Sequence, residues 1–285
     1  MNLNEYDLSQ WQVATVVSND RITPPGDAEV RHLVLEVSEQ LDYTEGQSVA
    51  VIARGPAEFG SPGHHRLYSI ASPRNGEAGH LGTFSLCVRR CFYIDDVSGE
   101  RYPGVASNYL CDTEPGDPIQ IAGPYGSRFS VPADDASNLL MVGVGTGIAP
   151  FRAFIQHIYR ERGGWKGVVR LFYGARTGLD LLYMNDVNRD FSLYYTENTF
   201  KAFQAVSQRP AVDAAPNMEH VFEDNQREIW NLIEDPKTYV YLAGLTDVAE
   251  KFEKVMSLAA GSEAAWQSKR GELMEQGRYA ELLYE

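Results

Sequence analysis

A chain of 285 residues, 44% of them apolar, holds enough material for two globular domains of ordinary size, and its net charge of −14 argues against nucleic acid or an anionic membrane surface as a partner. No apolar stretch approaches the roughly 18 residues of a membrane span, and Met1-Asn2-Leu3-Asn4-Glu5 lacks the basic start and apolar core of an export signal, so the expected location is cytoplasmic. The three cysteines (Cys87, Cys91 and Cys111) are too few for a four-thiolate cluster and lack zinc-site spacing. They read as reduced thiols in or near strands, with no metal site expected.

In chain order, short β-rich runs come first, over 11–17, 30–37, 48–52, 67–70, 82–90 and 118–121. Turn signals such as Pro24-Pro25-Gly26, Pro73-Arg74-Asn75-Gly76 and Glu114-Pro115-Gly116-Asp117 separate them, at the intervals of an antiparallel barrel. One short helix is predicted over 107–111, capped by Ser107 and stopped by Pro115-Gly116. A linker over 131–135 divides the chain into domains at 1–133 and 134–285. Beyond it, predicted strands over 139–144, 168–173, 200–206 and 239–242 alternate with helices over 150–162, 182–189 and 227–233, and a long helical stretch covers 247–276. That alternation implies βαβ units and a Rossmann-like parallel sheet, with ligands at the carboxyl ends of its strands.

The run Gly145-Thr146-Gly147-Ile148-Ala149-Pro150-Phe151-Arg152 follows the apolar Leu139-Leu140-Met141-Val142, so a buried strand passes through a glycine-paired turn into a helix. Such a turn lets backbone N–H groups and a helix dipole meet a pyrophosphate, yet it serves as a plain tight turn about as often. A second segment, Arg66-Leu67-Tyr68-Ser69-Ile70-Ala71-Ser72, places a cation and an aromatic ring on one face of a strand. It reads equally as an edge strand with a surface arginine. A third, Gly104-Val105-Ala106-Ser107-Asn108-Tyr109-Leu110, again joins a glycine turn to a helix and offers a second anion-receptive terminus. Lysine is absent before Lys166, so every fixed side-chain cation of the first half is an arginine.

These segments, with Ser85-Leu86-Cys87-Val88-Arg89-Arg90, Tyr239-Val240-Tyr241-Leu242-Ala243-Gly244-Leu245 and the tail Leu282-Leu283-Tyr284, stand in the order and spacing of the plant-type ferredoxin:NADP reductases, and the chain resembles that family over about residues 10–285. The resemblance implies an antiparallel FAD-binding β-barrel followed by a Rossmann-like NAD(P)-binding domain. It implies an enzyme that exchanges electrons between NADP(H) and ferredoxin or flavodoxin by hydride transfer at flavin N5.

By the same resemblance, Arg66 binds the FAD phosphates, Tyr68 stacks on the isoalloxazine and Ser69 approaches N5. Leu67, Cys87, Val88 and Arg89 complete the flavin surroundings, Tyr93 packs on the adenine, and Gly104, Val105, Ala106 and Ser107 face the FAD pyrophosphate. Gly145, Thr146, Gly147, Gly244 and Leu245 meet the nicotinamide nucleotide, and Arg176, Ser207 and Arg209 meet its adenosine half. Tyr284 covers the other flavin face and must move before nicotinamide stacks there.

The chain also departs from the family pattern. Ala106 and Ala243 replace two cysteines, and Leu282 replaces a glutamate for which Glu281 is an imperfect substitute. Ser207-Gln208-Arg209 and Asn217-Met218-Glu219-His220 alter the 2′-phosphate pocket, where Glu219 or Glu223 would favour NADH over NADPH. Both halves are net acidic, and Arg89 with Arg90 offers a local basic lip for an acidic carrier. Two other readings stay open: a reductase serving an oxygenase through a separate ferredoxin, and a flavin-binding module without turnover.

Overall fold

The computed structural model describes residues 6, 9–38, 41–53, 64–95, 97, 99–126, 129–207 and 217–284. The chain divides into two compact units, Met1–Ser127 and Arg128–Glu285.

The first unit contains β1 (Trp11–Arg21), β2 (Val30–Val37), β3 (Ser48–Ala53), β4 (His64–Ser69), β5 (Thr83–Arg89), a small hairpin of β6 (Phe92–Ile94) and β7 (Arg101–Pro103), α1 (Val105–Cys111) and β8 (Pro118–Tyr125). Six strands form an antiparallel sheet in the order β4-β3-β8-β1-β2-β5, and a bridge between Ile70 and Leu86 joins its two ends into a barrel. Alternation explains the inside: Ala14 and Val16 of β1, Leu33 and Leu35 of β2 and Phe84, Leu86 and Val88 of β5 are buried together, while Trp11, Val13 and Val17 point outward.

The second unit contains β9 (Asn138–Val144), α2 (Ile148–Gln156), β10 (Val169–Ala175), β11 (Phe200–Val206), α3 (Met218–Asp224), α4 (Gln226–Glu234), β12 (Thr238–Leu245), α5 (Thr246–Ala259), α6 (Glu263–Glu275) and β13 (Tyr279–Tyr284). Its five strands are parallel, in the order β11-β10-β9-β12-β13. Every residue of β9 is buried, as expected of the central strand of a sheet covered on both faces. The chain starts at β9, moves outward through β10 to β11, then returns to the other side of β9 as β12. That reversal opens a crevice at the carboxyl ends of β9 and β12, where doubly wound sheets bind their ligands.

Phe129 packs with Phe151, Phe154 and Tyr241 at ring-centroid distances of 5.7, 5.6 and 5.0 Å, and the Tyr241 hydroxyl donates to the Ser130 carbonyl at 2.7 Å. These contacts hold Phe129 and Ser130 within the second unit.

Several local expectations are corrected. Ser107 lies inside α1 and does not cap it; the cap position is Gly104, without a side-chain bond. The helix expected over 182–189 is absent. There the Asn185 carbonyl oxygen accepts from the N–H groups of Val187 and Asn188 and its amide donates to Leu179, so the side chain outcompetes helical bonding. Met218, Glu219 and His220, expected in a nucleotide loop, open α3 with Asn217 at its cap position, and Met218 is buried in the core beneath it. The long terminal helix breaks at Gly261, whose φ is +83°, and Ser262 caps α6 by accepting from the Ala265 N–H at 3.2 Å. The tail that follows is the strand β13.

Candidate functional site

In the second unit the crevice is built mostly from backbone. A 3-10 turn, Gly145–Gly147, links β9 to α2. Gly145 has φ +56° and open space where a Cβ would stand, so the turn presents bare backbone outward. Gly147 faces the other way: a Cβ there would lie 2.2 Å from the Ala243 carbonyl oxygen and 2.7 Å from the Gly244 nitrogen. Gly244 returns the contact, with φ +131° and a built Cβ 2.8 Å from the Val144 oxygen. Only glycines allow the turns after β9 and β12 to meet so closely. The first-turn N–H groups and the dipole of the helix are then approached past bare main chain at Gly145, which fits a nucleotide pyrophosphate.

Hydroxyl groups tether this turn on two sides. The buried Tyr173 on β10 donates to the Gly145 carbonyl at 2.9 Å and accepts from the Leu182 N–H at 3.3 Å. Thr146 Oγ1 lies 2.9 Å from the Tyr284 hydroxyl. Tyr284 ends β13 opposite Leu245 in the parallel register, and its carbonyl accepts from Thr246 Oγ1 at 3.4 Å. Gly145, Thr146, Gly147, Gly244, Leu245 and Tyr284 are thus one cluster. Glu281 is turned elsewhere: it shares its strand face with Leu283, which packs on the core, and pairs with Arg270 at 2.9 Å.

At the other end of the sheet, Arg176 is exposed just beyond β10, and the buried Ser207 just beyond β11 donates its N–H to the Arg176 carbonyl at 3.2 Å. Arg209 lies outside the described residues. Glu219, expected near a ribose, is held by Lys254 at 2.5 Å. Arg152, which closes the glycine motif, is buried and bonded to Asp190 (Nε at 2.6 Å), with its guanidinium 5.0 Å from the Tyr183 ring centre. It orders the irregular segment after β10, a role that its position in the motif did not suggest.

In the first unit, Arg66 and Tyr68 share one face of β4, opposite Val51 and Val49, with Leu67 opposite Ala50. Arg66 is exposed, and its Nη1 donates to the His65 carbonyl at 3.0 Å. Tyr68 leans on the barrel core, and burial pushes its phenol above the usual range, so the ring stays neutral. Ser69 lies 3.5 Å from the Ser48 hydroxyl, between their oxygens. Tyr93 is exposed and stacks on Tyr102 at 5.4 Å across the small hairpin. Arg89 is exposed, Cys87 is nearly enclosed and Val88 wholly so, which leaves Val88 only its backbone to offer a ligand.

The turn at Gly104, Val105 and Ala106 is docked on Cys91. The Cys91 carbonyl accepts from the Gly104 N–H at 2.9 Å and from Asn108 Nδ2 at 2.8 Å, and Ser107 Oγ accepts from the Cys91 N–H at 3.1 Å while donating to the Gly104 carbonyl at 3.3 Å. The Ser107 hydroxyl is therefore already committed, and the donors left at this turn are backbone N–H groups. Arg90 is not part of a basic lip. It binds Glu29 (2.7 Å), Asp112 (2.7 Å) and Asn108 (3.0 Å), and pairing with Arg90 pulls the Glu29 carboxyl down to about 2. Cys91, Asn108 and Arg90 organise this corner, and the short-range signal for it was the asparagine one turn beyond Gly104.

Comparison with known proteins agrees with this layout. Residues 15–129 match the family described as Oxidoreductase FAD-binding domain, and residues 141–254 match the Oxidoreductase NAD-binding domain. The chain is 34% identical over 286 residues to a ferredoxin–NADP reductase of Thermosynechococcus vestitus, covering 97% of this chain and 74% of that protein. It is 34% identical to the Spirulina sp. protein of the same name, covering 97% and 96%. It is 36% identical to the chloroplastic leaf isozyme 1 of Oryza sativa subsp. indica, covering 94% and 77%. Among solved structures, the ferredoxin–NADP+ reductase of Plasmodium falciparum shares the fold, with a TM-score of 0.73 over 98% of both chains at 19% identity. With an antiparallel barrel, a parallel sheet bearing a glycine-built crevice, and relatives this similar over about three quarters or more of their length, the chain belongs to the ferredoxin–NADP reductase family.

Proposed function

We propose that the protein is an FAD-dependent oxidoreductase that exchanges electrons between NADP(H) and ferredoxin. The observation that carries this reading is the backbone-lined crevice between the ends of β9 and β12, where Gly147 and Gly244 hold two turns in contact and Gly145 is left open. When bound, the flavin supplies the exchange between two-electron nicotinamide chemistry and one-electron carrier chemistry.

The chain's own residues bind and orient. Arg66 holds FAD phosphate, Tyr68 supplies a neutral, partly buried ring for the isoalloxazine, and Ser69 stands at the reacting edge. The backbone donors of Val105, Ala106 and Ser107 receive the FAD pyrophosphate, with Tyr93 beside the adenine. Gly145, Thr146 and Gly147 bind the nucleotide pyrophosphate, with Gly244 and Leu245 lining the nicotinamide side. Arg176 and Ser207, already linked, take the 2′-phosphate together with Arg209. The pairing of Glu219 with Lys254 supports NADPH over NADH, because it draws that carboxylate toward a cation of α5. Ferredoxin is favoured over flavodoxin by the names of the relatives.

Stopped-flow mixing of the flavin-loaded protein with NADPH and, separately, NADH tests the reading. Rapid loss of the flavin absorbance with NADPH is expected. Failure of both nucleotides to bleach it sinks the proposal, and a strong preference for NADH sinks only the nucleotide assignment.

A further inference from the structure

The glycine turn is open to a ligand for the same reason that it is poorly defined by sterics. Gly145 has no Cβ and sits at φ +56°, so its own bulk does not fix the orientation of the peptide that follows. The helical bond that should fix it is divided, because the Ile148 N–H donates to both the Gly145 and the Thr146 carbonyls. A side chain supplies a further donor: the Tyr173 hydroxyl, 2.9 Å from the Gly145 oxygen.

Tyr173 is fully buried in β10 and stands in register beside Gly143 of β9, on the face where Phe151 of α2 packs. Its oxygen also accepts from the Leu182 N–H at 3.3 Å, which leaves the hydroxyl hydrogen to point at Gly145. Leu182 belongs to the turn Leu181–Met184, closed by the Met184 N–H on the Leu181 carbonyl at 3.0 Å. In that turn the buried Tyr183 holds φ +63°, with its ring centre 5.0 Å from the Arg152 guanidinium. A bulky residue keeps such a backbone only where its surroundings enforce it, so the Tyr173 hydroxyl is gripped from a fixed turn.

We infer that Tyr173 is a positioning residue for the nucleotide: by holding the Gly145 carbonyl toward the sheet, its hydroxyl aims the Thr146 N–H at the pyrophosphate. This rests on the proposed function above. The carbonyl and the N–H belong to one trans peptide plane, in which they point in opposite directions. Without the grip that plane can turn and present its oxygen to an anion.

Calorimetric titration of the flavin-loaded full chain with NADP+, together with amide NMR of the same samples, tests this without turnover. Tyr173→Phe keeps the ring and removes the hydroxyl. It is expected to weaken NADP+ binding by about three- to tenfold, the scale of one net hydrogen bond. In wild-type protein the Thr146 amide proton should move downfield as NADP+ is added, and in Tyr173→Phe that shift should shrink even at saturation. A merely structural loosening weakens binding without altering the saturated shift. A wild-type Thr146 amide that does not respond to bound NADP+ overturns the positioning role, and this arm needs no variant. Unchanged affinity or an undiminished saturated shift in Tyr173→Phe overturns it as well, and each of these outcomes leaves the functional reading standing. Wild-type protein that binds no NADP+ overturns both together.

Discussion

The two units prepare their candidate sites by different means. In the parallel-sheet unit the crevice is a property of the backbone: Gly147 and Gly244 are packed against the main chain of the facing turn, and a methyl group at either has no place to go. In the barrel the candidate groups are side chains on a strand face, and Arg66 and Tyr93 are exposed while Gly104 and Ser107 are spent in holding a corner together. The difference teaches where each site can tolerate change. A nucleotide crevice made of main chain depends on the fold itself, whereas a flavin surface made of side chains can lose function with its fold intact.

The largest effect that can break this contrast is expected at Gly147. Gly147→Ala puts a Cβ 2.2 Å from a backbone oxygen, so stability should fall by about 3 kcal/mol in thermal or urea unfolding. Gly145→Ala meets open space and suffers only its positive φ, about 1 kcal/mol. Equal losses at the two positions would refute the backbone account. Ser69→Ala should leave the melting temperature and FAD content unchanged and slow flavin reduction by NADPH about 10²-fold if the hydroxyl aligns the reacting groups. An unaltered rate removes Ser69 from the reacting edge.

Arg90→Ala tests the barrel corner, and should cost about 1 kcal/mol, because Glu29 then keeps only its pairing with Arg31 at 2.5 Å and Asp112 loses its partner. The same pair carries an acid signature. The Glu29 carboxyl sits at about 2 in the folded protein against 4.5 unperturbed, so the stability it contributes is complete above pH 4.5 and is lost as pH falls from there toward 2. In Arg90→Ala that loss between pH 4.5 and 2 should flatten, and an unchanged pH profile would show that other carboxylates dominate. The smallest perturbation is chemical labelling. Cys91 is exposed, whereas burial pushes the Cys111 thiol up to about 12, so iodoacetamide at mild alkaline pH should modify Cys91 first and Cys111 only on unfolding. Equal native rates would contradict the packing of α1.

Much of this arrangement was legible from residue patterns. The barrel strands showed through alternation, and the central β9 through its unbroken apolar run. The strand-turn-helix at Gly145 was legible because an apolar run passes directly into closely spaced glycines and then a helical segment. The segment after β10 has a helical pattern but forms no α-helix, and neither the bonding of the Asn185 side chain to its neighbours' N–H groups nor the pairing of Asp190 with Arg152 leaves a periodic trace. The burial of Met218 that draws residues 218–220 into α3 was equally hidden, since it depends on the sheet beneath.

The amino-acid sequence by itself determined the two architectures, the turns that need glycine and the pool of polar residues available to a site, because hydrophobic period and backbone freedom are local properties. Only the tertiary structure decided how those residues are used. It committed Arg90 to Glu29, Ser107 to Cys91 and Glu219 to Lys254, and it set Tyr284 against Thr146 across the end of β12. Such partnerships follow from strand order and register, which bring distant segments within hydrogen-bond reach, and no short stretch of sequence carries that distance.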